Sequence, residues 1–248
     1  MAQISSEFIF FKVKSDVKPE DPTSELGEGL MKVFRATQQQ SGHYSSAWGR
    51  TVEDPSMLVW VIGWFFIVLL LFYVESLLLN GNLPEWTDAR CAIISSLLKP
   101  FLEEDQPVTA IYATLSPPIS STNTLTENPV TELCFLLVAS NMSAYETRQL
   151  DADLINFRTA LLEQLPQEVA PRSWSMGHVE RPSTVKHDKS PNGLATVHLL
   201  ALGWETVETH NDAKKTKVFV DGITPIREKL LLPPVPELEM KHVRFQKV

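Results

Sequence analysis

Short apolar runs alternate with amphipathic stretches along the chain, and the same order of runs occurs twice. Residues 4–13, ISSEFIFFKV, read as an opening strand with its apolar part at Phe8–Val13. Leu26–Gln40 follows as a helical stretch with Leu26, Leu30, Val33 and Phe34 on one side, and Gly27 and Gly29 weaken its propensity. Ala47–Pro55, AWGRTVEDP, predicts a strand and a turn, and Leu58–Trp64, LVWVIGW, a strand ending in Gly-Trp. In the second half Leu133–Ala139 is the opening strand. Leu150–Leu165 is the helix, apolar at Leu154, Phe157, Leu161, Leu162 and Leu165 and stopped by Pro166. Trp174–Pro182, WSMGHVERP, and Val197–Trp204, VHLLALGW, match the first-half strand pair. A further helix is predicted from Trp86 in the first half, and over Glu205–Val220 and Thr224–Leu231 in the second. Each half closes on an extended run, Val108–Leu115 and Met240–Phe245. Strand–helix–strand–strand–helix–strand is a ferredoxin-like split βαβ unit, present here in two copies.

The expected fold class is therefore α+β, with one repeat over 1–115 and a second over 131–248. Residues 116–130 form the linker, polar and proline-rich as SPPISSTNTLTENP over 116–129. The copies differ in length, because 65–85 has no counterpart after Trp204. Most of the apolar run 57–79 lies there, and 57–74 carries no charge. A membrane span needs about 20 apolar residues, so 57–79 is a single-pass candidate on hydropathy alone. The strand reading claims Leu58–Trp64, and Phe65–Val74 is then too short to cross. The insert is expected to be an apolar helix; a lid, an interaction helix and a translated intron remain open readings.

Charge narrows the function. The net charge of −8 lacks the basic face that phosphate neutralisation needs, which argues against a nucleic-acid partner. The N-terminus has no basic n-region before a long apolar stretch, so a cytoplasmic location is expected, with a single-pass membrane protein as the alternative. Cys91 and Cys134 form no C-x-x-C pair, the six histidines show no H-x-x-x-H or H-E-x-x-H spacing, and no metal site is expected. Cys134 reads as a buried thiol. Glu180–Gly193 is a charged, turn-rich loop, either an ordinary hairpin loop or a lid. Asn141-Met142-Ser143 fits a glycosylation pattern that matters only in a lumen.

The duplicated unit and the two Gly-Trp strands, at Trp64 and Trp204, resemble the dimeric α/β-barrel superfamily, and within it the antibiotic-biosynthesis-monooxygenase (ABM)-like proteins of fungi. The resemblance covers the chain outside 65–85. It implies two sheets facing each other in a barrel built by one chain, each covering the other's apolar face. It also implies a cofactor-independent monooxygenase of secondary metabolism acting on a small aromatic or polyketide-type metabolite, with no cofactor. A non-catalytic small-molecule-binding or interaction protein of the same fold is the alternative. The partner is then a small hydrophobic or aromatic substrate. A membrane partner enters only through 57–79, and homo-oligomerisation stays open.

Oxygenation without a cofactor needs a base that makes a carbanion or phenolate inside a water-poor pocket. His198, in Ala195-Thr196-Val197-His198-Leu199-Leu200, is the first candidate, since a half-buried imidazole titrates near neutrality. His178 in Met176-Gly177-His178 and His43 are the others. Trp48, Trp60, Trp174 and Tyr44 are the candidate substrate contacts, with core packing as the competing role for the tryptophans.

Overall fold

A computed structural model describes residues 4–65, 92–119, 125–236 and 238–248. It divides into two compact units. One holds residues 1–115, 180–182 and 243–248, and the other holds 116–179 and 183–242.

In the first unit, β1 (Ile4–Lys12), α1 (Glu25–Thr37), β2 (His43–Thr51), β3 (Met57–Phe65) and β4 (Thr109–Ser116) follow in order. β1 lies antiparallel between β3 and β4, and β2 flanks β3. The middle of β1 is buried at every position, so its residues are apolar on both faces apart from Ser5, Ser6 and Glu7. One face packs on α1, where Ile9, Phe11, Leu58, Trp60, Ile62 and Trp64 meet Leu30, Met31 and Phe34. Ser24 caps α1 by accepting from the Gly27 amide at 3.0 Å. A Cβ at Gly27 would lie 2.1 Å from the Lys18 carbonyl oxygen. Here glycine's cost in helix propensity allows a close backbone approach. Residues 92–98 are also helical.

The second unit repeats the pattern with β5 (Val130–Ala139), α2 (Ala144–Thr159), β6 (Ser173–Arg181), β7 (Val185–Lys186), β8 (Leu194–Trp204), α3 (Val207–Ala213) and α4 (Lys217–Arg227). β8 pairs antiparallel with β5 and with β6, and its start pairs with the short β7. α2 begins six residues before the expected Leu150. Ser143 and Glu146 form a capping box there, so the Ser of the Asn-Met-Ser triplet is a helix cap. Its last turn, Ala160–Gln164, widens into a π-helix before Pro166.

Two expectations are corrected. Met57–Phe65 is extended chain hydrogen-bonded between β1 and β2, so 57–79 is not one membrane-spanning helix. No helix among the described residues is long and apolar enough to cross a membrane. The rest of the 65–85 insert, with Trp86 and Cys91, lies outside the described residues. Glu205–Val220 is not one helix: the chain turns at Lys214–Thr216, and Thr216 caps a new helix by accepting from the Phe219 amide. The closing run Met240–Phe245 contributes to β9 (Lys241–Lys247), whose Val243–Lys247 pair with β2 of the first unit.

Mixed α+β structure, antiparallel sheets and a doubled order of elements are therefore all present. Register makes the doubling concrete. Ser5, Ser6 and Glu7 face Trp64, Gly63 and Ile62, and Val130, Thr131 and Glu132 face Trp204, Gly203 and Leu202. Gly49 faces Val59 and Gly177 faces Leu199, four residues from the glycines of the Gly-Trp pairs.

Candidate functional site

Two of the three candidate histidines meet. His178 on β6 and His198 on β8 are direct cross-strand partners, with ring centroids 4.2 Å apart and planes tilted by 52°. Opposite residues on antiparallel strands point to the same face, so the contact follows from register. His198 shares its face with Leu200, Leu202 and Trp204 by alternation. It is 4% exposed, while His178 is exposed. Burial, and then the neighbouring His178, lowers the pKa of His198 to about 4. His198 is therefore neutral at physiological pH, and the outer ring is the one solvent reaches.

His43 lies in the first unit, at the start of β2. Its ring stands edge-on to Trp64 at 6.1 Å, and burial lowers its pKa. Its Nε2 is buried without a hydrogen-bond partner. Tyr44 is exposed and packs edge-on against Phe65 at 5.0 Å. Trp48 and Trp60 are core residues around Phe34, at 6.2 Å and 4.4 Å, and the Trp60 indole donates to Ser46 Oγ at 2.9 Å. Trp174 is buried against Phe157 of α2 at 6.0 Å. These three indoles fill the layer between sheet and helices.

A second constellation was not anticipated. Glu7 is fully buried, accepting from Trp64 Nε1 at 2.9 Å and from the Tyr112 hydroxyl at 2.5 Å. At the matching position Glu132 accepts from Trp204 Nε1, also at 2.9 Å. There the further partner is His210 of α3. Its Nε2 lies 3.4 Å from Glu132 Oε2, its ring stacks on Trp204 at 4.7 Å, and its Nδ1 is 2.8 Å from His242 Nε2. Glu132, Trp204, His210 and His242 are all at most 5% exposed. The available signal was a lone carboxylate inside each apolar opening strand, Ser6-Glu7-Phe8 and Thr131-Glu132-Leu133, with a Gly-Trp on the strand beside it. A buried carboxylate needs donors, and an indole N–H is one.

Among the described residues no group of three or more His, Cys, Asp or Glu side chains is arranged to hold a metal ion. Cys134 is a free thiol whose pKa burial drives up, which keeps it protonated. A groove of about 440 Å³ runs between α2, the π-helical turn and α4, bordered by Asp153, Asn156, Gln164, Lys217 and Asp221. None of the candidate histidines, Tyr44 or the tryptophans lines it.

No protein-family model matches the chain, and no curated protein matches its sequence. Its fold does have solved relatives. An anthrone oxidase-like protein superposes with a TM-score of 0.56 at 10% identity, over 100% of this chain and 94% of that one. A chlorite dismutase-like protein gives 0.54 at 8% identity, over 100% and 96%. A monooxygenase-like protein of Fusobacterium nucleatum is more distant, at 0.48 and 10% identity, over 99% and 93%. At these identities the likeness is one of fold.

Proposed function

We propose that this chain is a duplicated dimeric α/β-barrel protein of the ABM-like type, and that it oxygenates a small aromatic or polyketide-type metabolite without a bound cofactor. The observation that carries this reading is the His178–His198 pair. The solvent-reachable imidazole of His178 is backed by a buried one that resists charge through burial and through its neighbour. His178 is the base in this reading, and His198 holds its ring in place.

The chemistry balances with molecular oxygen alone. His178 removes a proton from the activated CH₂ of an anthrone-type substrate, and the carbanion adds O₂. The peroxide anion takes that proton back from the imidazolium to give the hydroperoxide. His178 then removes the second C–H proton as the O–O bond breaks, a carbonyl is left, and the departing hydroxide takes the proton from the imidazolium as water. In this reading Tyr44, Trp48 and Trp60 of the first unit take no part in the chemistry, and Trp174 is core packing against Phe157.

Oxygen uptake by the purified protein over a panel of anthrones and hydroquinones tests the proposal. Turnover of at least one compound is expected, with kcat/KM about a hundredfold lower in His178→Gln, the low end for removal of a general base. No turnover by the unaltered protein across the panel, or full activity in His178→Gln, overturns it.

A further inference from the structure

The hairpin between β7 and β8, within the second unit, closes on Ser190-Pro191-Asn192-Gly193. The Gly193 amide donates to the Ser190 carbonyl at 3.0 Å, which makes these four residues a β-turn. The residue types suit it: serine opens the turn, proline takes the second place, and glycine takes the fourth at φ +74°. Asparagine before glycine is also the least hindered setting for a peptide nitrogen to attack a side-chain amide. Glycine puts no side chain beside that nitrogen, and a Cβ at Gly193 would stand in open space. Asn192 itself is exposed, so water reaches it.

The fold holds both reacting groups elsewhere. Asn192 Nδ2 donates to Ser140 Oγ at 2.9 Å, on the turn that leaves β5. Asn192 Oδ1 accepts from the Leu194 amide at 3.3 Å and lies 2.9 Å from Ser190 Oγ. The Ser190 hydroxyl has one hydrogen, and the Leu194 carbonyl at 2.6 Å is its nearer acceptor. The nitrogen that would attack is the donor that closes the turn. Ring closure removes that N–H and turns the carboxamide toward the backbone, so the bonds to Ser190 and Ser140 must both open first. The other end of the loop is pinned as well. His187 accepts from the Lys189 amide at Nδ1, so its Nε2 carries the hydrogen and donates to the Pro233 carbonyl at 2.9 Å. The His187 amide donates to the Gly193 carbonyl at 3.0 Å.

We propose that Asn192 is a conformation-gated modification site, converted to aspartate or isoaspartate when the β7–β8 loop lifts from Ser140. In the open loop the Gly193 nitrogen bonds to Asn192 Cγ and gives up its proton. The Cγ–Nδ2 bond breaks, and the side-chain nitrogen leaves with that proton as ammonia. Water then opens the succinimide at one carbonyl to give aspartate, or at the other to give isoaspartate. No oxidant or reductant is involved. Isoaspartate carries an extra methylene in the main chain, so the turn cannot close again on the same atoms, and the change is one-way. The site is independent of the His178–His198 chemistry and stands if that reading fails.

Mass spectrometry of the peptide carrying Asn192 reads the exchange of NH₂ for OH, in folded protein and in urea-unfolded protein kept side by side at pH 8. Conversion in the folded protein should be at least about tenfold slower than in urea, because reaction waits on local opening. Ser140→Ala removes one partner of the carboxamide. It should speed conversion of the folded protein about three- to tenfold, the worth of one hydrogen bond, and leave the rate in urea unchanged. Equal rates in folded and unfolded wild-type protein, or a folded Ser140→Ala protein that converts no faster than wild type, overturn the gate. The wild-type comparison decides the matter even if the variant does not fold.

Discussion

Glu7 and Glu132 occupy the same register position in the two units, and each accepts from an indole N–H at 2.9 Å. Beyond that shared pair the units part. In the first, the remaining carboxylate oxygen accepts from a phenol, Tyr112 on the neighbouring strand β4. In the second, the carboxylate faces an imidazole from a helix, and that imidazole bonds a second one. The difference separates two roles of a buried polar group. The Glu–Trp pair recurs because a carboxylate inside a sheet–helix layer must be given donors, and the local strand register supplies one. The third partner varies because any donor at the right distance will do. The second unit's choice adds a buried imidazole, His210, whose pKa burial lowers.

The largest expected effect is therefore a pH dependence that belongs mainly to the second unit. His198 and His210 have folded pKa values lowered to about 4 and about 3, so the unfolded chain binds more protons below the ordinary imidazole value of about 6.5. Their contribution is complete above 6.5 and is lost as pH falls through that value toward the folded ones. At about 1.4 kcal/mol per pH unit, His198 alone accounts for about 3 kcal/mol between pH 6.5 and 4. Denaturant unfolding across this range should show the fall, and His198→Gln should remove close to half of it. A flat stability profile would erase the contrast between the units.

A smaller effect sharpens the same contrast. In Glu7→Gln the amide can keep its oxygen on Trp64 while its NH₂ donates to the Tyr112 oxygen, so the cost should stay near 1 kcal/mol. In Glu132→Gln the Trp204 and His210 ring nitrogens both fall on the one oxygen that replaces Oε2, now without the carboxylate charge beside the imidazole, and the cost should be about 2 kcal/mol. Equal losses in urea titrations of the two variants would show that the third partner is unimportant. The smallest effect concerns the helices. α2 has a full capping box at Ser143 and Glu146, whereas α1 has only the Ser24 side chain on the Gly27 amide. Ser143→Ala should cost about 1 kcal/mol, a little more than Ser24→Ala, by thermal unfolding.

Much of the arrangement was legible along the chain. Phe8–Lys12, Leu58–Trp64, Leu133–Ala139 and Val197–Trp204 lie in strands because short apolar runs, two of them ending in Gly-Trp, suit a sheet buried on both faces. His178 and His198 could be chosen as candidates because each sits in a strand, but their contact depends on a register that no single strand contains. Glu7 and Glu132 were passed over. Reading them as a site requires knowing that Trp64 and Trp204 stand beside them, and that a helix starting 75 residues after Glu132 brings His210 to only one of the two.

By itself the sequence determined the doubled order of strands and helices, the acidic net charge and the extended character of the first part of the long apolar run. Those properties depend on local periodicity and composition, which each segment carries alone. Only the tertiary structure decided that the closing strand pairs with β2 of the first unit, that His178 backs onto His198, and that two matching carboxylates receive different partners. Contacts between distant segments are selected by which pairings bury the most surface and satisfy the most donors together, and that is a property of the folded chain as a whole.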